Sequence, residues 1–105
     1  MWFGGLDPIT GHEQGGRRPL LVVSADRFNS GRSELVVVTP ITSVPKGIPS
    51  HVQIDPPEGG LKVTSYIKVE DVRCISQARL EKRIGSVNPE TMRLVEQRLR
   101  WLLET

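Results

Sequence analysis

Apolar residues along this chain come in short blocks separated by Gly, Pro, Asn and Asp, and most blocks are too short for helices. Leu20-Leu21-Val22-Val23-Ser24 is a run of branched apolar residues that reads as a buried strand. Glu34 to Thr39 is again almost continuously apolar through Leu35-Val36-Val37-Val38, which predicts a central third strand closed by Pro40. Ahead of both, Trp2 to Leu6 is a short strand candidate interrupted by Gly4-Gly5 and ended by Asp7-Pro8. His51-Val52-Gln53-Ile54-Asp55 alternates, as a strand with one wet face does. Ser65 to Val69, Val72 to Ile75 and Arg83 to Val87 supply three further strands. Between them lie a loop from Ile9 to Arg17, a turn region at 25–31, a loop from Ile41 to Pro49 and a turn at Pro56-Pro57-Glu58-Gly59-Gly60.

The period changes after Val87. Asn88-Pro89-Glu90-Thr91 is a helix start, with an N-cap asparagine, proline at the first helical position and an acid in the first turn. Met92, Val95, Leu99 and Leu102 then repeat at spacings of three, four and three, one apolar stripe. Trp101 lies off that stripe and is expected in the core, the alternative being an exposed aromatic that meets a partner. Many short strands followed by one helix predict a mostly β fold, a small, largely antiparallel barrel capped by a C-terminal α-helix.

Composition narrows the classes. The 105 residues fit one domain with enough apolar content, 37%, for a single core. Aromatic residues are only 5%, so a nucleic-acid site cannot rest on many stacking rings. The net charge of +2 is uneven: residues 1–60 carry five basic and six acidic side chains, residues 61–105 nine and six. The lone Cys74 excludes an intrachain disulfide and, in an alternating apolar run, is expected as a small buried hydrophobe. The start of the chain has neither the basic segment nor the apolar stretch of a signal peptide, and no window approaches a membrane span, so a cytoplasmic protein is expected.

The chemistry concentrates where the first loop meets the second strand, at Gly11-His12-Glu13-Gln14-Gly15-Gly16-Arg17-Arg18-Pro19. Pro19 removes a backbone donor and holds Arg18 in extended geometry. A planar, permanently charged donor at the mouth of a rigid strand, beside a loop carrying a carboxylate, suits phosphate chemistry. His12 and His51 show no metal spacing with each other or with Cys74, so neither a metal nor another cofactor is expected; His51 reads as a structural or rim residue.

That loop, together with Thr39-Pro40-Ile41-Thr42-Ser43, Lys46-Gly47-Ile48-Pro49, Val69-Glu70-Asp71-Val72-Arg73-Cys74-Ile75 and Arg83-Ile84-Gly85, resembles the MazF/PemK toxins, the sequence-selective endoribonucleases of bacterial toxin–antitoxin pairs. The likeness spans nearly the whole chain in order, as one toxin domain over residues 1–105. It departs from the family in a shortened first strand and in Val44, where a polar residue is usual. The resemblance implies an SH3-like barrel of the MazF/CcdB type and a homodimer. It also implies metal-independent cleavage of single-stranded RNA to 2′,3′-cyclic phosphate and 5′-hydroxyl ends, with a cognate antitoxin as partner. Arg18 and Thr42 match the catalytic pair and Glu13 the loop acid. Gln14, Arg17, Ser43 and Lys46 are the RNA contacts on this reading. In-line attack by a ribose 2′-OH needs a base, charge stabilisation and a proton for the leaving oxygen. Glu13 is the expected base with His12 in reserve, Arg18 the stabiliser, and Thr42 a positioning donor. A non-enzymatic gyrase-binding toxin of the CcdB branch, or a toxin that has lost activity, are the alternatives on the same fold.

Overall fold

The computed structural model describes residues 1–7 and 15–105. Its strands are β1 (Trp2–Gly5), β2 (Arg17–Val22), β3 (Leu35–Thr42), β4 (His51–Ile54), β5 (Ser65–Lys68), β6 (Arg73–Ser76) and β7 (Leu80–Arg83). A one-turn helix α1 (Asp26–Asn29) follows β2, and a long helix α2 (Pro89–Leu103) ends the chain. All strand pairs are antiparallel. Hydrogen bonding runs in the order β4-β5-β3-β2-β1-β7, with β6 also on β3. The mostly β class with a C-terminal helix is therefore as the sequence indicates. The barrel is only loosely one, because β4 and β7 end the path without pairing to each other.

β3 is the spine of this sheet. Along one edge β2 pairs in the register Leu20↔Pro40, Leu21↔Thr39, Val22↔Val38. Along the other, β6 pairs with Leu35 to Val38 and β5 with Ile41 and Thr42. The 3-10 turn Val69–Asp71 joins those two strands, so the gap between them falls opposite Thr39 and Pro40. Pro40 therefore does not close the strand as its sequence context predicts. A proline lacks the N–H a ladder needs, and a break in the neighbouring strand is where that lack is tolerated. Ile41 and Thr42 are strand residues, not loop residues.

Adjacent residues of β2 serve two cores, which explains why its apolar run is unbroken. Leu20 packs with Leu6, Val36, Val38 and Ile75. Leu21 packs on the opposite face with Ile41, Val52, Ile54, Ile67, Val69 and Val95, the last from α2. Nor does Gly4 interrupt β1. A Cβ there would stand 2.4 Å from the Arg79 carbonyl oxygen, so glycine lets β1 run hard against the chain entering β7.

Four further expectations are corrected. The last strand is Leu80–Arg83 rather than Arg83 to Val87; residues 84–88 are irregular. They leave the ladder to press on Gly60, whose φ of +76° only glycine adopts readily and whose Cβ would lie 1.9 Å from the Ile84 carbonyl oxygen. Cys74 is exposed, because Ile75 sets the inward parity of β6 and sends Cys74 and Ser76 outward. Trp101 is 61% exposed: Met92, Val95 and Leu99 pack on the core, but the stripe ends there and Leu102 is also exposed. The start of α2 is capped differently from expectation as well. Asn88 makes no side-chain cap bond. Instead Glu58 Oε2 accepts from the Asn88 backbone N–H at 2.8 Å and the Thr91 hydroxyl at 2.5 Å, a carboxylate at the positive end of the helix.

Candidate active site

The β2–β3 ladder brings the two arms of the site together. Its register, carried two residues beyond Leu20↔Pro40, sets Arg18 across from Thr42, residues 24 apart in sequence. Both line a cleft of about 510 Å³. Its walls are the start of β2 (Arg17, Arg18, Pro19), the end of β3 with the residue after it (Ile41, Thr42, Ser43), and Gly60 to Val63 with Ser65. Phe3 and Ile84 complete the lining.

Arg18 is half-buried and fixed at two points. Its Nε donates to the Gly15 carbonyl at 2.7 Å and its Nη1 to the Ile41 carbonyl at 3.1 Å. Burial pushes the guanidinium below its ordinary pKa, while the carboxylates of Asp7 and Asp71 push it back up. An arginine stays protonated at neutral pH through such opposing effects. The result is a fixed positive charge on a cleft wall, oriented in part by two backbone carbonyls.

Thr42 is buried at 7% exposure, and its Oγ1 accepts the Val44 backbone N–H at 3.2 Å. Because the oxygen is the acceptor in that bond, the hydroxyl proton remains to be donated, and the residue's place on the cleft wall allows it to face a ligand. Ser43 follows on the same wall and is exposed. Arg17 also lines the cleft, but Glu81 holds it in a bidentate fork along one guanidinium edge, Nε to Oε2 at 3.1 Å and Nη2 to Oε1. Its guanidinium carbon lies 5.4 Å from the centroid of the Phe3 ring. Lys46 is exposed and is not among the residues lining the cleft. Glu13, Gln14 and His12 lie outside the described residues. The chain on either side of them is pinned beside Arg18: Leu6 N–H donates to the Gly16 carbonyl at 3.1 Å, and Gly16 N–H to Asp7 Oδ1 at 3.0 Å.

Behind the cleft the Val69–Asp71 turn is tied down by charge. Glu70 accepts from the Ser50 hydroxyl at 2.8 Å and lies 3.0 Å from His51 Nε2, whose side chain is only 4% exposed. Arg73 Nη2 donates to Asp71 Oδ2 at 2.7 Å, with Lys68 Nζ 4.0 Å from the same oxygen. His51 is thus a structural residue, as its place in the sequence suggests. The influence of Asp71 on Arg18, and the lining residues Phe3, Lys62, Val63 and Ser65, were not legible in the sequence. Only the Glu70-Asp71-Val72-Arg73 segment carried a signal, through the family likeness. No group of three or more His, Cys, Asp or Glu among the described residues is arranged to hold a metal ion.

The family model for PemK-like, MazF-like toxins of type II toxin–antitoxin systems matches residues 1–103. Endoribonuclease EndoA of Bacillus subtilis is 34% identical over 100 residues, covering 94% of this chain and 86% of that protein. A crystal structure of MazF from Deinococcus radiodurans superposes with a TM-score of 0.85 at 30% identity, over 99% of this chain and 92% of that one. A crystal structure of MazE–MazF from the same organism gives 0.78 at 30% identity, over 99% and 91%.

Proposed function

The chain belongs to the PemK-like, MazF-like toxins of type II toxin–antitoxin systems, and from that premise we propose that it is an endoribonuclease that cuts single-stranded RNA by attack of a ribose 2′-OH on the adjacent phosphate. The observation that carries this reading is the convergence of the Arg18 guanidinium and the Thr42 hydroxyl on one cleft from neighbouring strands. The reaction builds negative charge on the non-bridging phosphate oxygens. Arg18, oriented by the carbonyls of Gly15 and Ile41, stabilises that charge with two directed N–H groups. Thr42 donates its hydroxyl to another phosphate oxygen and fixes the in-line geometry. Glu13, two residues before Gly15 in sequence, takes the 2′ proton; the 2′ oxygen bonds to phosphorus as the P–O5′ bond breaks, the leaving 5′ oxygen takes a proton from solvent, and the products are a 2′,3′-cyclic phosphate and a 5′-hydroxyl. The charge stabilisation comes from side chains alone, so the step requires no metal.

Gln14, Ser43 and Lys46 contact the RNA strand beside the cut. The protein acts in the cytoplasm as a homodimer, and a cognate antitoxin holds it inactive; MazF of Deinococcus radiodurans has been crystallised with MazE. No helix among the described residues is long and apolar enough to cross a membrane. The test is cleavage of a single-stranded RNA pool in EDTA, wild type beside Arg18→Ala, with the 3′ ends of the products characterised. Site-selective cuts ending in cyclic phosphate, absent with Arg18→Ala, are expected. A folded wild-type protein that leaves every RNA intact would refute the proposal.

A further inference from the structure

Arg17, Phe3 and Glu81 form an arrangement that the catalytic step does not use. Phe3 of β1 stands opposite Pro19 of β2, so Arg17, two residues before Pro19, lies on the same face and reaches diagonally over the ring. The residue directly opposite Arg17 is Gly5, which puts no side chain in the way. Glu81 reaches Arg17 through an irregularity in the sheet. β7 pairs Lys82 with Phe3 and Leu80 with Gly4, which leaves Glu81 as the extra residue of a β-bulge. Bulges re-aim side chains, and this one turns a carboxylate onto the Nε–Nη2 edge of the Arg17 guanidinium. The guanidinium is thereby held over the Phe3 ring, 5.4 Å from its centroid, while the side chain as a whole stays 65% exposed. Phe3 and Arg17 both line the cleft that holds Arg18 and Thr42.

We propose that Phe3, Arg17 and Glu81 form a stacking platform for an unpaired nucleobase of the RNA strand that lies in the Arg18 cleft. The inference rests on the ribonuclease reading of that cleft. Unstacked bases lie on aromatic rings and on the planes of arginine side chains. A guanidinium already held over a ring by a carboxylate offers such a plane without losing side-chain freedom on binding. With its Nε–Nη2 edge engaged and its charge countered by the Glu81 carboxylate, Arg17 meets RNA through its face, as a base contact, in place of the phosphate contact its charge alone would suggest. A planar base adds to the stack whatever its sequence, and purines, with the larger rings, add to it most.

The experiment measures binding by fluorescence anisotropy to 2′-O-methyl hexamers of adenine, cytosine or uracil, and to an abasic hexamer of equal charge. The 2′-O-methyl group blocks the nucleophile, so binding is read without cleavage. For wild type the adenine hexamer should bind at least about fivefold tighter than the abasic one, as expected for base stacking. Arg17→Lys keeps the charge and loses the plane. It should cut that ratio about fivefold or more and leave the abasic affinity within about twofold. Glu81→Gln, which frees the guanidinium without altering Arg17, should lower the same ratio. Equal weakening of both hexamers by Arg17→Lys, or no change in either, would overturn the platform while leaving the ribonuclease reading intact if the protein still cleaves. Failure of the wild type to bind any hexamer, together with no cleavage of the RNA pool, would overturn both.

Discussion

Arg18→Lys separates charge from geometry at the centre of the site. Lysine keeps the positive charge but loses the fork that places it. In the native protein two backbone carbonyls orient the guanidinium, Gly15 at 2.7 Å and Ile41 at 3.1 Å. A hydrogen bond made by a charged group is worth about 1.5–3 kcal/mol, and an ammonium on a flexible stem cannot bind both carbonyls and a bidentate phosphate at once. Loss of one preorganised donor to developing charge costs about 2.7–4 kcal/mol, a factor of about 10²–10³ in kcat. Arg18→Lys should therefore lower single-turnover cleavage of a chimeric RNA with one ribonucleotide at the cut site by about that factor. KM should rise less than about tenfold, because a point charge still attracts phosphate. Arg18→Ala should weaken both. A thermal melt by circular dichroism controls for folding. If Arg18→Lys cleaves within about tenfold of wild type, charge alone suffices and the reasoning from the two carbonyl anchors is wrong.

Thr42→Val removes the donated hydroxyl and the bond from Val44 N–H; kcat should fall about 10–100-fold and Thr42→Ser should recover most of it, with recovery by Val itself counting against the role of the hydroxyl. Glu58→Ala strips the start of α2 of the carboxylate that Asn88 N–H and Thr91 share; stability should drop by about 1–2 kcal/mol in urea titration, and an unchanged midpoint would show that Asn88 caps the helix unaided. Thr39 is fully buried and its Oγ1 has no hydrogen-bond partner among the described residues, so Thr39→Val should raise stability by about 1 kcal/mol, or about 4–8 °C in Tm. A lower Tm would mean that the hydroxyl is satisfied after all.

Local signals along the chain were enough for several parts of this protein. The branched apolar run at 20–23 marks a strand that feeds a core on each face, the run at 35–38 marks a strand that buries Val36 and Val38, and Asn88-Pro89 with the Met92, Val95, Leu99 spacing marks the terminal helix. Arg18 is legible too, because a proline beside it and an apolar strand after it fix its place at a strand mouth. What the sequence leaves open is whatever depends on which strands become neighbours. A period of two says which face a residue takes but not what lies across from it, and one residue of slip reverses the face, as Cys74 shows. Pro40 looks like the end of a strand until the break between β5 and β6 is seen to lie opposite it, and only then does Thr42 come level with Arg18. Glu81 reaches Arg17 only because a bulge shifts the register of β7 by one residue. Pairings across 24 or 64 residues arise from the packing of the whole sheet, and no local pattern encodes them.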